Sequence, residues 1–264
     1  MKTYRYVRLD PTGNITCLVL DPADHGDEKK LTRELLKECE QVAYLEKPSL
    51  PGTEAAIRLM GGEFCGNAAM AAGAWLVRDE LAAGNEMSFL MQVSGAAEPV
   101  NCRISRKGEG FEGTVEMPPV REIREENIAG TAFTLVRMDG IVHLIYEGDP
   151  LKKEDAEKLL KEAASALSDD AVGLLQWNRD TQYMRPLVYV RGSGSMVWEN
   201  GCGSGSAAVG AAEALRTGNG LQITQVKQPG GVIGVSAEAE DGRILSVQIT
   251  GQVRLNTETV IEIP

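Results

Sequence analysis

Cys65 and Cys202 stand in two copies of one local pattern. Glu63-Phe64-Cys65-Gly66-Asn67-Ala68-Ala69-Met70-Ala71-Ala72-Gly73-Ala74 is echoed by Gly201-Cys202-Gly203-Ser204-Gly205-Ser206-Ala207-Ala208-Val209-Gly210-Ala211-Ala212. Each copy places Cys-Gly, then a small polar residue, then an alanine-rich run. Such runs are good helix formers without a polar face, which predicts a helix threaded through a core. A cysteine at the start of that helix faces unpaired first-turn N–H groups and the positive end of the helix dipole. Both favour the thiolate, below the free-thiol pKa of about 8.5. Gly66, Gly203 and Gly205 keep side chains away, so a small ligand can approach the backbone and its carboxylate can sit on the same N–H groups.

Inverting an amino acid at its α-carbon needs a base on one face and an acid on the other, each suited to proton transfer near neutrality. A thiolate and a thiol can exchange those roles. Two such helix starts opposed across a pseudo-twofold axis, with the active site between them, predict a racemase or epimerase that uses Cys65 and Cys202 as its acid/base pair. The converging N–H groups would stabilise charge spreading onto the substrate carboxylate. A redox dithiol is the alternative for two close sulfurs, but it has no use for two carboxylate cradles. Cys17, Cys39 and Cys102 lie in apolar or mixed stretches without neighbouring glycines and read as small buried hydrophobes.

The echo continues downstream. Met91-Gln92-Val93-Ser94-Gly95 leads to Gly113-Thr114-Val115-Glu116-Met117, as Thr224-Gln225-Val226-Lys227-Gln228-Pro229-Gly230-Gly231 leads to Leu245-Ser246-Val247-Gln248-Ile249. A repeat of this kind predicts two homologous halves, 1–119 and 120–264, joined near Pro118-Pro119, with the last few residues free to pack on the first half. Tyr4–Leu9, Thr16–Leu20, Thr134–Arg137 and His143–Tyr146 read as strands. Glu28–Gln41 and Lys152–Leu167 read as amphipathic surface helices, the first with Leu31, Leu35, Glu38 and Cys39 near one face. The predicted class is α/β (α+β), two pseudo-symmetric domains, each a sheet wrapped around a central helix.

Composition narrows the partners. The 264 residues carry 43% apolar side chains and a formal charge of -11, with a pI near 4.8. That balance disfavours nucleic acid and anionic membrane surfaces. Met1–Val7 lacks an apolar signal-peptide core and no run reaches membrane-span length, so a cytoplasmic location is expected. Five cysteines without a CxxC pair predict free thiols, and His25 and His143 offer no zinc-ligand spacing. His143, in an apolar run, reads as a core histidine. A small amino acid is the expected ligand, and a homodimer is compatible with the sequence.

At these motifs the chain resembles the diaminopimelate epimerase family, and within it the histidine racemases associated with opine-type metallophore biosynthesis. The likeness spans the chain through Pro11-Thr12-Gly13-Asn14, the two cysteine motifs, Val93-Ser94-Gly95, Glu116-Met117-Pro118, Gln228-Pro229-Gly230-Gly231 and Gly251-Gln252-Val253. It implies two similar α/β domains and chemistry without pyridoxal phosphate or metal. Cys65 and Cys202 would be the acid/base residues, Gly66, Asn67, Gly203 and Ser204 would hold the α-carboxylate and amine, and Asn14 would face the substrate. The epimerases' Glu-Arg-Gly stretch, which grips the distal end of diaminopimelate, is matched here by Val190-Arg191-Gly192. Their Gly-Asn-Pro-His segment is matched by Gly140-Ile141-Val142-His143, and a later asparagine by Val172 or a neighbour. A second zwitterionic head would lack partners, which costs several kcal/mol. A smaller amino acid fits better, and the resemblance favours histidine, with Glu40 and Gln41 as candidate side-chain contacts because a carboxylate can accept from an imidazole N–H. Isomerases resembling phenazine-biosynthesis proteins share the fold but lack paired cysteines, and a non-catalytic amino-acid binder would need only the carboxylate cradle.

Overall fold

The computed structural model describes residues 1–192 and 194–263. They fall into two units, Met1–Glu116 with Thr250–Pro264, and Met117–Ile249. The first unit runs β1 (Lys2–Pro11), β2 (Thr16–Val19), α1 (His25–Leu35), β3 (Gln41–Glu46), β4 (Ala55–Leu59), α2 (Gly66–Val77), β5 (Glu86–Val93), β6 (Val100–Lys107) and β7 (Gly110–Glu116). The second runs β8 (Val120–Ile128), β9 (Thr131–Met138), β10 (Ile141–Tyr146), α3 (Lys153–Ala166), β11 (Ala171–Asn178), β12 (Tyr183–Val190), β13 (Ser195–Trp198), α4 (Gly203–Thr217), β14 (Gly220–Gln228), β15 (Gly231–Glu240) and β16 (Arg243–Ile263). From Thr250 onward β16 belongs to the first unit.

In the first unit the strands pair in the order β1-β2-β3-β4-β5-β6-β7-β16, and β16 pairs back onto β1. Closure leaves no unpaired edge. Two neighbouring pairs are parallel, β2 with β3 and β4 with β5. Parallel neighbours need a long connection, and α1 and α2 supply those two. The same rule operates in the second unit, where α3 joins the parallel pair β10 and β11, and α4 lies between β12 and β14, which meet at Tyr183 and Lys227.

The helices divide into two kinds. α1 is capped by Asp24, which accepts from the Gly26 and Asp27 N–H groups, and it buries Leu31 and Leu35 against Tyr4, Tyr6, Val19 and Val42. α3 buries Ala156, Leu160 and Ala163 against Phe133, Leu144 and Leu174. By contrast every residue of α2 except Leu76 is buried, and α2 packs against β1, β2, β4, β5, β6 and β7. α4 is buried from Gly205 to Ala212 and packs mainly on β14 and β15. Among the described residues no helix is long and apolar enough to cross a membrane.

The end of the first helix differs from the sequence expectation. The first helix ends at Leu35, not Gln41, in a tightening turn where Lys37 N donates to Glu34 O and Glu38 N to Leu35 O. The reason lies downstream: Gln41-Val42-Ala43-Tyr44 is wholly buried and pairs with Thr16–Val19, a better use of an apolar run than a solvent-facing helix end. Gln41 therefore opens β3, and Glu40 lies in the bend just before it.

Close helix–strand packing requires missing side chains. A Cβ on Gly210 of α4 would lie 2.3 Å from Val235 Cγ1 and 2.7 Å from Val235 Cβ. Gly210→Ala is expected to lower unfolding free energy by about 1–3 kcal/mol through overpacking, read as a lower urea midpoint. Adding Val235→Ala should recover part of the loss, and additive losses in the double variant would refute the packing account.

Candidate active site

Both sequence-predicted catalytic cysteines occupy the N-cap position of a buried helix, with extended backbone, φ -140° at Cys65 and -107° at Cys202. In each case sulfur stands where a serine or aspartate oxygen is usual. Ala68 N donates to Cys65 Sγ at 3.4 Å, and Gly205 N to Cys202 Sγ at 3.3 Å. This fixes each thiol over a first turn whose N–H groups favour negative charge.

Each cysteine turn is clamped by the strand that follows its helix. In the first unit Ser94 Oγ accepts from Leu59 N at 2.9 Å and donates to Glu63 O at 2.8 Å. Gly95, at φ +75°, lies so close that a Cβ would meet Phe64 N at 2.3 Å. In the second unit Gln228 Oε1 accepts from Cys202 N at 2.7 Å, Gln228 Nε2 donates to Ser206 Oγ at 2.9 Å, and Ser206 Oγ donates to Cys202 O at 2.7 Å. That closed ring is fully buried. Sequence reasoning used Ser94 and Gln228 only as markers of the repeat; their recurrence after each cysteine was the signal of a positioning role.

Contrary to the lowering expected from its place at a helix start, Cys202 is only 3% exposed, and burial, then the neighbouring Glu199 carboxylate, push its thiol well above the usual range. The thiol donates to Glu199, while Ser204 and the Gly205 N–H pull the other way. Glu199 belongs to the second cysteine motif, Trp198-Glu199-Asn200-Gly201-Cys202, but nothing in the sequence assigned it a bond to the thiol. Cys65 is partly exposed.

His143 answers to the same sulfur. It is fully buried, its Nε2 lies 3.0 Å from Ser204 Oγ, and Ser204 Oγ lies 3.6 Å from Cys202 Sγ. Its Nδ1 has no hydrogen-bond partner and faces Gly173, where a Cβ would approach to 2.2 Å. A buried N–H without an acceptor is rarer than a buried lone pair without a donor, which places the proton on Nε2. His143 then donates to Ser204, leaving the serine hydroxyl proton for Cys202. It is a core histidine, as its setting in the sequence suggested, but only one of its nitrogens is satisfied.

The predicted substrate residues fall into three places. Gly66 and Asn67 are buried in the first turn of α2, and Gly203 and Ser204 open α4. Asn14, buried, is joined to Gln41 through Thr16: Gln41 Nε2 donates to Thr16 Oγ1 at 2.8 Å, and Thr16 Oγ1 donates to Asn14 O at 3.1 Å. Glu40 is exposed, and its N–H bonds to Ile15 O beside them. Two other residues have structural partners. Trp198 Nε1 donates to Glu157 Oε1 of α3, and Arg191 Nη2 donates to Ala164 O and Leu167 O at the end of α3. Among the described residues no cluster of three or more His, Cys, Asp and Glu could hold a metal ion.

Residues 3–261 match the family model described as the histidine racemase CntK N-terminal domain. The chain belongs to the histidine racemase family. A relative named histidine racemase from Fusobacterium nucleatum is 30% identical over 237 residues, 86% of each chain. Membership makes the protein an isomerase. Among solved structures it is similar to a probable proline racemase from Agrobacterium radiobacter K84, at TM-score 0.74 and 15% identity over 99% of this chain and 93% of that one. It is also similar to a phenazine biosynthesis protein of the PhzF family from Enterococcus faecalis, at TM-score 0.62 and 15% identity over 99% and 100%. The histidine racemase family fold here is thus a sheet-rich mixed α/β fold resembling proline racemase and PhzF-like isomerases, a coarser statement than the diaminopimelate epimerase arrangement expected from sequence.

Burial pushes the His143 pKa down to about 3 from 6.5. The unfolded chain therefore binds a proton that the folded chain refuses, so this contribution to stability is intact above pH 6.5 and lost as pH falls toward 3. Within that window it costs about 1.4 kcal/mol per pH unit. Between pH 6.5 and 4.5 the urea midpoint of the wild type should fall more steeply than that of His143→Gln; parallel slopes would show that His143 titrates normally.

Proposed function

We propose that this chain is a histidine racemase that inverts the α-carbon without a cofactor, with Cys65 and Cys202 as a reciprocal acid/base pair. The observation that carries the reading is the pair of sulfur N-caps, each with glycine beside it, on the family's two cysteine motifs. One sulfur, as thiolate, takes the α-proton, and the other, as thiol, delivers a proton to the opposite face. Cys202, raised by burial and bonded to Glu199, enters the first turnover as the acid. Inversion of the other enantiomer requires the roles to be exchanged.

Gly66 and Asn67, with Gly203 and Ser204, hold the α-carboxylate and amine through first-turn N–H groups and short polar side chains, and Asn14 faces the substrate. Glu40, exposed just before β3, accepts from the substrate imidazole, with Gln41 beside it. The two halves, 1–119 and 120–264, derive from one ancestral unit in which a sheet wraps a buried helix, as in the diaminopimelate epimerases. Histidine is favoured over diaminopimelate by Arg191. Its guanidinium is committed to the carbonyls ending α3, and a second zwitterionic head needs a cation that is free.

Proton exchange tests this directly. Purified protein in D₂O with reductant and no added cofactor should exchange the α-proton of L-histidine and abolish its optical rotation, with little exchange of LL-diaminopimelate. Cys65→Ser and Cys202→Ser should each lower racemisation by at least about 10³-fold, the upper part of the range for a positioned acid or base. Wild-type turnover by either variant removes the two-thiol mechanism, and exchange confined to diaminopimelate reverses the substrate assignment.

A further inference from the structure

Asn14 and Gln41 are joined by a residue to which the racemase chemistry gives no role. Thr16 opens β2 and is the Cα partner of Gln41, which opens the parallel strand β3. Both side chains are buried, and the rest of β2, Cys17-Leu18-Val19, is apolar. The main chain of the bend before β3 is anchored next door: Ile15 O accepts from Glu40 N at 2.9 Å and from Gln41 N at 3.3 Å. The side chains are linked in series. Gln41 Nε2 donates to Thr16 Oγ1 at 2.8 Å, and Thr16 Oγ1 donates to Asn14 O at 3.1 Å.

The series has a direction. A hydroxyl carries one proton. Asn14 O is a carbonyl and can only accept, so the Thr16 proton goes there, and towards Gln41 the hydroxyl offers lone pairs alone. The amide must then meet Thr16 with its N–H end, because turning it over would set oxygen against oxygen with no proton between them. Gln41 Oε1 is the end left over, and it has no hydrogen-bond partner among the described residues.

We propose that Thr16 is a positioning residue for substrate selection: by fixing which end of the Gln41 amide is left for the ligand, it gives the side-chain subsite two acceptors, Gln41 Oε1 and the Glu40 carboxylate, and so selects a substrate side chain that carries N–H donors. The inference rests on the reading of Glu40 and Gln41 as contacts to that side chain. An imidazole carries an N–H group, whereas a thiophene, a five-membered ring of similar size, carries none. Without the Thr16 hydroxyl the amide has no partner that distinguishes its two ends, and its N–H end, when presented, opposes the imidazole donor. Thr16 acts through Gln41, since its own hydroxyl is spent on Gln41 and Asn14.

Equilibrium binding tests this without turnover, so the outcome is separate from that of the racemase reading, which α-proton exchange decides. In Cys65→Ser/Cys202→Ser protein, calorimetry should show L-histidine bound more tightly than 3-(2-thienyl)-L-alanine. Adding Thr16→Val should cut that preference by about tenfold, the worth of one hydrogen bond, chiefly by weakening histidine. Thr16→Ser, which keeps the hydroxyl, should restore it. With Gln41→Ala already present, Thr16→Val should change the preference no further, because the group it acts through is gone. A merely structural role predicts that Thr16→Val weakens both ligands by one factor and leaves the preference intact. That result overturns the proposal, as does equal binding of the two amino acids with Thr16 in place, or an effect of Thr16→Val that persists without Gln41. Should Thr16→Val fail to fold, Gln41→Glu serves instead: its carboxylate presents oxygen in either orientation, so the preference for histidine should survive, and its loss would count equally against the proposal.

Discussion

The four N–H groups that open a helix have no partner within it, and a buried amide left without one costs about 1–3 kcal/mol. At α2 and α4 a cysteine sulfur answers part of this need, 3.4 Å from Ala68 N and 3.3 Å from Gly205 N. Sulfur is a weak acceptor. On the proposed function, a substrate carboxylate at either first turn therefore competes with a weak sulfur cap and not with a strong oxygen one. The composition of both helices follows from the same constraint. To carry a thiol into a core the helix must be buried along its length, so Ala and Gly replace larger residues where strands come close, as Gly73 does against Cys102 and Gly210 against Val235.

The layer behind the sulfurs is built differently in the two units, although the job is the same. Ser94 holds the peptide before Cys65 with one hydroxyl used twice. Gln228 and Ser206 enclose Cys202 in a ring that satisfies its N–H and its C=O together. His143 adds a third buried polar group, reaching the sulfur through Ser204. A ring of buried, mutually satisfied bonds is stiff, and loss of one member leaves the others unpaired. Position at Cys202 is thus set by a closed ring, whereas the turn before Cys65 is held by the Ser94 hydroxyl and the close approach of Gly95.

How much of this could be read from the residues alone depends on range. The paired cysteines, the glycines beside them and the buried character of their helices are local features, and each was legible. So was α3, because its apolar spacing stops where its helix stops. The end of α1 was not legible, since the spacing of Leu35, Glu38 and Cys39 continues a helix while the competing claim on Gln41–Tyr44 comes from β2, distant in sequence. The same limit hid Glu199, Ser206 and the service of His143. Nothing near His143 announces that Gly173 will face it across a parallel pair, or that Ser204 will lie against its Nε2. Polar networks are closed by register, and register between strands joined by a helix is not a local property.

The contrast between the two cysteines bears on how a reciprocal pair can work. A symmetric pair would hold both thiols at one pKa and leave the proton's starting place to chance. Here Cys202 is almost wholly buried beside a carboxylate, and both conditions favour the thiol. On the proposed mechanism the resting enzyme has its acid assigned in advance, and one enantiomer meets a correctly charged site. On the same mechanism the other enantiomer requires a thiolate at Cys202, against the Glu199 charge. The Gly205 N–H and the Ser204 hydroxyl lower the same barrier, because both donate to sulfur and gain strength as it ionises. The layer containing His143 therefore has a reason to be neutral. A charged imidazolium there would hold Cys202 as thiolate permanently, whereas a neutral ring orients Ser204 and leaves the sulfur free to return to the thiol.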